Sequence, residues 1–103
     1  MVDTLVFGSE RAGAEPVTSE QFRTFLAQEV TPRFPEGLTA WDAAGEWRTP
    51  TGRMLSEASH VVMLVHGADA ASDTLVREII ARYEHAFGQQ SVLRVRTRSC
   101  VSF

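Results

Sequence analysis

Asp42 and His60, in a predicted β hairpin, have the residue types and spacing that acid–base chemistry needs. A hairpin centred on Thr51 pairs residues whose numbers sum to 102, and so places these two opposite each other. A carboxylate beside an imidazole favours the protonated ring and fixes its tautomer, as general acid–base catalysis requires. A bulge at residues 43–45 would shift the register and separate them. The simpler interpretation is a solvated ion pair between two strands.

A second group of candidates lies around the end of the same hairpin. It combines charged side chains with one indole: Glu46, Trp47, Arg48, Arg53 and Glu57. Glu57 is an alternative proton carrier, Arg48 could hold an anionic oxygen, and Trp47 could stack on a planar ligand. In the plainer interpretation these charges are the edges of an exposed ribbon, and Trp47 packs against the helices.

Alternating arginines mark the last predicted strand. Arg94, Arg96 and Arg98 project from one face because side chains alternate along a strand. These arginines could bind a carboxylate or a phosphate bidentately, and Arg94, the most interior of the three, is the candidate. The alternative is charge on an edge strand that discourages aggregation between sheets.

Metal and cofactor sites are not expected. His60 and His66 are six strand residues apart, about 20 Å, which is too far for one ion. Cys100 has no partner cysteine, and no Gly-rich phosphate loop, nucleophile elbow or zinc motif is present. The expected chemistry is therefore free of metal and cofactor.

Composition narrows the classes of partner. The chain has 103 residues and a net charge of -3, which suits one domain over 1–103 and gives no case for nucleic acid. No apolar run approaches the roughly 20 residues that cross a bilayer, so no membrane partner is expected. The single cysteine and the acidic start of the chain favour a cytoplasmic location.

The periodicity of apolar residues predicts the order β-α-β-β-α-β. Strands are expected at 4–8 and 91–98, and a long hairpin at 38–66. Thr18 with Gln21 forms a capping box for the first helix, which Pro32 interrupts, and the second helix runs from about Ser72 to Phe87 with Gly88 as its C-cap. Such an order folds into a ferredoxin-like α+β sandwich, with four antiparallel strands and both helices on one face. The first and third strands should be central.

Alternation along the third strand divides its apolar residues between two faces. One face holds Val61, Met63 and Val65, and the other holds Val62 and Leu64. If the helices cover the first set, the helix-free face is centred on Val62 and Leu64. Leu5 and Phe7, in the first strand, could lie on that uncovered face as well. A second copy would cover that face in a dimeric α+β barrel. Self-cover by the C-terminal tail or the 43–58 segment is the alternative.

Three stretches of the chain resemble one known bacterial family. They are 29–39 (EVTPRFPEGLT), 42–48 (DAAGEWR), and 90–95 (QSVLRV) together with the ending 100–103 (CVSF). This pattern is similar to the family known as domain of unknown function 3574. The resemblance implies a stand-alone domain of about this length and no activity assignable residue by residue. Family members often carry an export or lipoprotein leader, and none is visible here, which again favours the cytoplasm.

Three functional hypotheses follow. The first is a small cofactor-independent enzyme that moves a proton on an organic metabolite, as an isomerase, cyclase or lyase. Its pocket would lie on the helix-free sheet face, with His60 and Asp42, or Glu57, moving the proton. Arg48 or Arg94 would hold an anionic oxygen. The second hypothesis is a small-molecule-binding or accessory module, and the third is a structural dimerisation domain.

Overall fold

Strands and helices alternate in the predicted order. The computed structural model describes residues 1–103. Its elements are β1 (Val2–Gly8), α1 (Ser19–Phe25) with a π-helical turn (Leu26–Val30), β2 (Thr39–Arg48), β3 (Met54–Val65), α2 (Ala70–Phe87) and β4 (Leu93–Thr97). The strands form one antiparallel sheet in the order β2-β3-β1-β4. The ferredoxin-like α+β prediction is therefore confirmed, with β1 and β3 central.

The start of α1 follows from its capping residues. The Thr18 hydroxyl accepts from the Gln21 backbone N–H, and the Gln21 side chain accepts from the Thr18 N–H, which completes the predicted capping box. The helix ends in a wider π turn, where the Thr31 N–H donates to the Leu26 carbonyl. Pro32 explains the widening, because its ring would clash with the carbonyl four residues back in a regular α-helix.

Helix α2 begins two residues before the predicted start at Ser72. Asp69 caps it, and its carboxylate accepts from the Ser72 N–H at 3.0 Å. The predicted C-cap is confirmed, since Gly88 has a φ of 65°, which favours glycine. Val76, Ile79 and Tyr83 form the buried face of the helix.

The hairpin of β2 and β3 is regular along its whole length. Pairing runs without a bulge from Thr39 opposite Met63 to Arg48 opposite Met54. Strand β1 pairs only with residues 59–65 of β3. Residues 44–48 and 54–58 therefore project beyond the neighbouring strand as a two-stranded ribbon, here named the hairpin arm.

The core corrects the expected assignment of sheet faces. Val62 and Leu64 are fully buried beneath the helices, together with Leu5 and Phe7. The prediction that Val62 and Leu64 centre the helix-free face is wrong. Alternation shows which residues share a face, but both faces of β3 are apolar, so the pattern could not tell which one the helices cover.

An apolar helix-free face nevertheless exists, built from the opposite set of residues. We name it the open sheet face: Val6, Trp41, Val61, Met63, Leu93 and Val95. Trp41, Leu93 and Val95 are 45%, 59% and 47% exposed. The C-terminal tail leaves them uncovered, since Phe103 is itself wholly exposed beside Met63 and Val65. The 43–58 segment extends as part of the hairpin and does not fold over them.

Neither helix combines the length and the apolar character that crossing a bilayer would require.

Candidate functional site

Asp42 and His60 meet as the hairpin register predicts. His60 Nδ1 lies 2.8 Å from Asp42 Oδ1, and the Ser19 hydroxyl donates to Asp42 Oδ2 at 2.7 Å. The Ser19 hydrogen bond, followed by that of His60, lowers the pKa of the Asp42 carboxyl below its ordinary value. Asp42 is therefore an anion that holds the start of α1 against the edge of the sheet.

His60 lies on the helix side of the sheet, not on the open sheet face. Its ring is buried and stacks on Phe22, with centroids 4.5 Å apart. Nε2 lies 3.0 Å from the Val17 carbonyl oxygen. A carbonyl and a carboxylate both accept, so both bonds form when each ring nitrogen carries a proton. Neither nitrogen is left for a ligand, which corrects the expectation that this pair faces a helix-free pocket.

Arg94 also projects to the helix side, where it meets Asp3. Arg94 Nε donates to Asp3 Oδ1 at 2.9 Å, and Arg94 Nη2 donates to Asp73 Oδ1 at 2.7 Å. Asp3 is fully buried and is also contacted by Arg96 and by His66 Nε2, the latter at 2.7 Å. The guanidinium of Arg94 thus bridges two carboxylates of its own chain.

Charge pairing sets the protonation states in this network. Burial raises the pKa of Asp3, but hydrogen bonds from Arg94 and His66 outweigh it, so the pKa lies below its ordinary value. The hydrogen bond to Asp3 raises the pKa of Arg94. The hydrogen bond from Arg94 lowers the pKa of Asp73. Asp3, Asp73 and Arg94 are therefore ionised, and together they join β1, α2 and β4.

Sequence reasoning missed Asp3. A usable signal was present, since Asp3 has the same alternation phase as the core residues Leu5 and Phe7. An aspartate at a core position needs a cationic partner, and the neighbouring strand offers the alternating Arg94 and Arg96.

Glu57 and Trp47 line a cavity of about 400 Å³ between the hairpin arm and the loop after β1. Leu55 and Ser56 complete the strand side, and the loop side is Glu10, Arg11 and Ala12. Trp47 pairs across the arm with Leu55, and its side chain is 49% exposed. We name this cavity the arm pocket. It unites one predicted proton carrier with the predicted stacking residue.

The Glu57 carboxylate is anchored through one oxygen. Oε2 accepts from the Glu10 backbone N–H at 2.8 Å, and no group of the chain donates to Oε1. Alternation puts Glu57 on the same face of β3 as Val61, opposite Gly45. The carboxylate is half-buried beside Gly8, which has no side chain to occupy the same space.

Arg48 lies away from the arm pocket. It pairs with Met54 at the end of the arm, and alternation turns it to the face opposite Trp47. The predicted site residues therefore lie in four separate places: Asp42 with His60, Arg94 beside Asp3, Glu57 with Trp47, and Arg48 by itself.

Tyr83 anchors the backbone beside the arm pocket. Its hydroxyl donates to the Gly8 carbonyl at 2.6 Å. Burial, and secondarily the charge of Glu57, raise the pKa of Tyr83, so the phenol stays protonated and keeps donating.

Arg11, on the loop side of the arm pocket, donates its Nε–H to the Glu15 carbonyl, and its guanidinium lies 5.7 Å from the Phe87 ring centroid.

Comparison with known proteins identifies the family. Residues 2–103 match DUF3574, described as a protein of unknown function. The chain belongs to this family. This match confirms the resemblance to domain of unknown function 3574 that the sequence motifs indicated. No curated protein matches it in sequence.

Two solved structures share the fold of the DUF3574 chain. A phage SAM lyase in complex with S-methyl-5′-thioadenosine superposes with a TM-score of 0.67 at 15% identity, covering 90% of this chain and 76% of that one. A phage SAM lyase in the apo state gives a TM-score of 0.65 at 16% identity, covering 90% and 75%. At this identity the likeness shows a common fold.

Proposed function

We propose that this chain is a small cofactor-independent enzyme of lyase type, which acts on an organic metabolite by proton transfer in the arm pocket. The observation behind the proposal is the Glu57 carboxylate, which has one oxygen fixed by the Glu10 N–H and lies beside the exposed indole of Trp47. Small-molecule sites in proteins combine an apolar wall with a few placed polar groups in this way.

Glu57 supplies the proton-transfer group. The bond to Oε2 fixes the orientation of the carboxylate, and Oε1 is free to take a proton from a bound molecule. In an elimination the C–H bond breaks, and its proton moves to Oε1. Its electron pair forms the new carbon–carbon double bond. The leaving group departs with the electrons of its own bond.

Trp47 supplies a flat surface for a planar part of the substrate. Aromatic rings gain free energy from stacking, and an indole that is half exposed on a cavity wall is free to do so. The fold shared with phage SAM lyases, one of which binds S-methyl-5′-thioadenosine, supports a nucleoside-like planar group. This support is an analogy of fold.

In this proposal Asp42, His60 and Arg94 do not touch the substrate. Their hydrogen-bonding groups are taken up by Val17, Ser19, Asp3 and Asp73. They act by holding the helix layer on the sheet.

Conversion of S-adenosylmethionine tests the proposed activity. Wild type should release S-methyl-5′-thioadenosine, detected by mass spectrometry, and Glu57→Gln should lose at least about a hundredfold in rate. Glu46→Gln is the matched control, because Glu46 makes the same charge change on the opposite face of the same arm. Absence of product from wild type, or equal rates for Glu57→Gln, contradicts the proposal. Saturable binding without product would favour the binding-module hypothesis.

We further propose a homodimer joined through the open sheet face. All four strands contribute apolar side chains to that face, and Trp41, Leu93 and Val95 are about half exposed. Contiguous apolar surface of this kind is normally covered. A second copy related by a two-fold axis presents the same residues, so that each copy covers the other.

A further inference from the structure

We infer that the arm pocket selects an organic cation, such as a sulfonium or an alkylammonium group, over the neutral molecule of the same shape. The inference rests on the proposed function, which places the substrate site in the arm pocket. It states in addition that the substrate bound there carries a positive charge. Trp47, Glu57 and Glu10 are the groups on which it depends.

The first support is the balance of charges around the cavity. Two acidic residues, Glu10 and Glu57, line it against one basic residue, Arg11. The Arg11 guanidinium is already engaged, because its Nε–H donates to Glu15 and it lies over the Phe87 ring. Neither carboxylate forms an ion pair with Arg11, since no N–O distance between them falls within 4.0 Å. The pocket therefore has an excess of negative charge.

The second support is the indole of Trp47. The face of an aromatic ring attracts a cation, and tryptophan does so more strongly than phenylalanine or tyrosine. Trp47 is 49% exposed and lines the same cavity as Glu57. An alkylated cation suits such a wall, because its methyl and methylene groups are apolar and its charge is spread over them.

The chemistry of elimination agrees with this preference. When Glu57 removes a proton from the carbon β to a sulfonium, the C–H pair forms the double bond. The C–S bond breaks, and its electrons stay on sulfur, which becomes a neutral thioether. The positive charge attracted by Glu57 and Glu10 thus passes to the transferred proton. The neutral thioether product is held less strongly and can leave.

Calorimetric titration with two analogues tests the inference without turnover. Sinefungin carries a protonated amine in place of the sulfonium and cannot eliminate, and S-adenosylhomocysteine is its neutral counterpart. At low salt, wild type should bind sinefungin at least about fivefold more tightly than S-adenosylhomocysteine. This ratio of affinities should shrink as salt is raised. Glu57→Gln and Trp47→Leu should each reduce the ratio, and Glu46→Gln should keep it.

The outcomes separate the two proposals. Equal affinities for the two analogues overturn the cation preference, whether or not S-adenosylmethionine is converted. Cation preference without conversion of S-adenosylmethionine supports this inference and removes the proposed enzymatic activity. If neither analogue binds, the cation preference is overturned, and conversion of S-adenosylmethionine alone decides the proposed enzymatic activity.

Discussion

A β-carbon placed on Gly8 would lie 3.0 Å from Oε2 of Glu57. A contact this tight would require the Glu57 carboxylate to move by a few tenths of an ångström. The Gly8 carbonyl is held from the other side of the sheet by the Tyr83 hydroxyl at 2.6 Å. The Glu57 carboxylate, which the Glu10 N–H anchors, therefore leaves little room for a side chain at position 8.

Gly8→Ala should therefore disturb the arm pocket more than the fold. We expect the added methyl to shift the Glu57 carboxylate relative to the Glu10 N–H and to lower the rate on S-adenosylmethionine about tenfold, because catalytic groups tolerate little displacement. The melting temperature of the same variant should stay within a few degrees of wild type, about 1 kcal/mol or less. An unchanged rate would show that Gly8 does not position Glu57.

His60→Ala should cost stability and spare the arm pocket. The substitution removes a buried ring that stacks on Phe22 and leaves the Val17 carbonyl unpaired, for a loss of about 2–4 kcal/mol in urea unfolding. His85→Ala is the control, since His85 is exposed and should change stability by less than about 0.5 kcal/mol. Turnover by the folded fraction should persist, and its loss would return His60 to the catalytic role expected from sequence.

Asp3→Asn should weaken the fold in a pH-dependent way. The substitution leaves Arg94, Arg96 and His66 around an uncharged group, at a cost of about 3–5 kcal/mol at pH 7. The folded state lowers the pKa of Asp3 from 3.8, so its contribution is present above that value and is lost as pH falls through the folded-state pKa. Urea unfolding of both proteins from pH 7 to pH 3 should show the difference shrinking below about pH 4. A difference that stays constant with pH would rule out the ionised network as its source.

Val95→Glu should separate the proposed dimer. Val95 lies in the open sheet face at 47% exposure, so the new charge would be buried only if a second copy covers it. Sedimentation velocity should give a dimer for wild type and a monomer for Val95→Glu. Ala81→Glu, on the exposed side of α2, should remain dimeric. A monomeric wild type at all concentrations would contradict the dimer.

Local signals predict the elements of this fold well. Thr18 with Gln21, Gly88 and the Pro50–Gly52 turn each carry a defined backbone requirement, so the starts and ends of elements follow from them. The register that brings Asp42 to His60 also follows, because a hairpin is fixed by its turn and its alternation.

The side of the sheet taken by the helices did not follow from sequence. Val62 and Val61 are equally apolar, and the choice between them depends on how β1 pairs and where Leu5 and Phe7 point. That error put the candidate pocket on the face of Asp42, His60 and Arg94 and hid the role of Asp3. Glu57 and Trp47 were candidates because they lie around the end of the hairpin, and the observed register places both on one face of the arm.

We expect a ligand to bind in the arm pocket and to make no contact with His60 or Asp42. A crystal structure of the protein with S-methyl-5′-thioadenosine would locate the ligand. The purine ring should stack on Trp47, about 3.5–4 Å away, with the sulfur near Glu57. Ligand density beside His60, or an empty arm pocket in crystals grown with saturating ligand, would contradict this expectation.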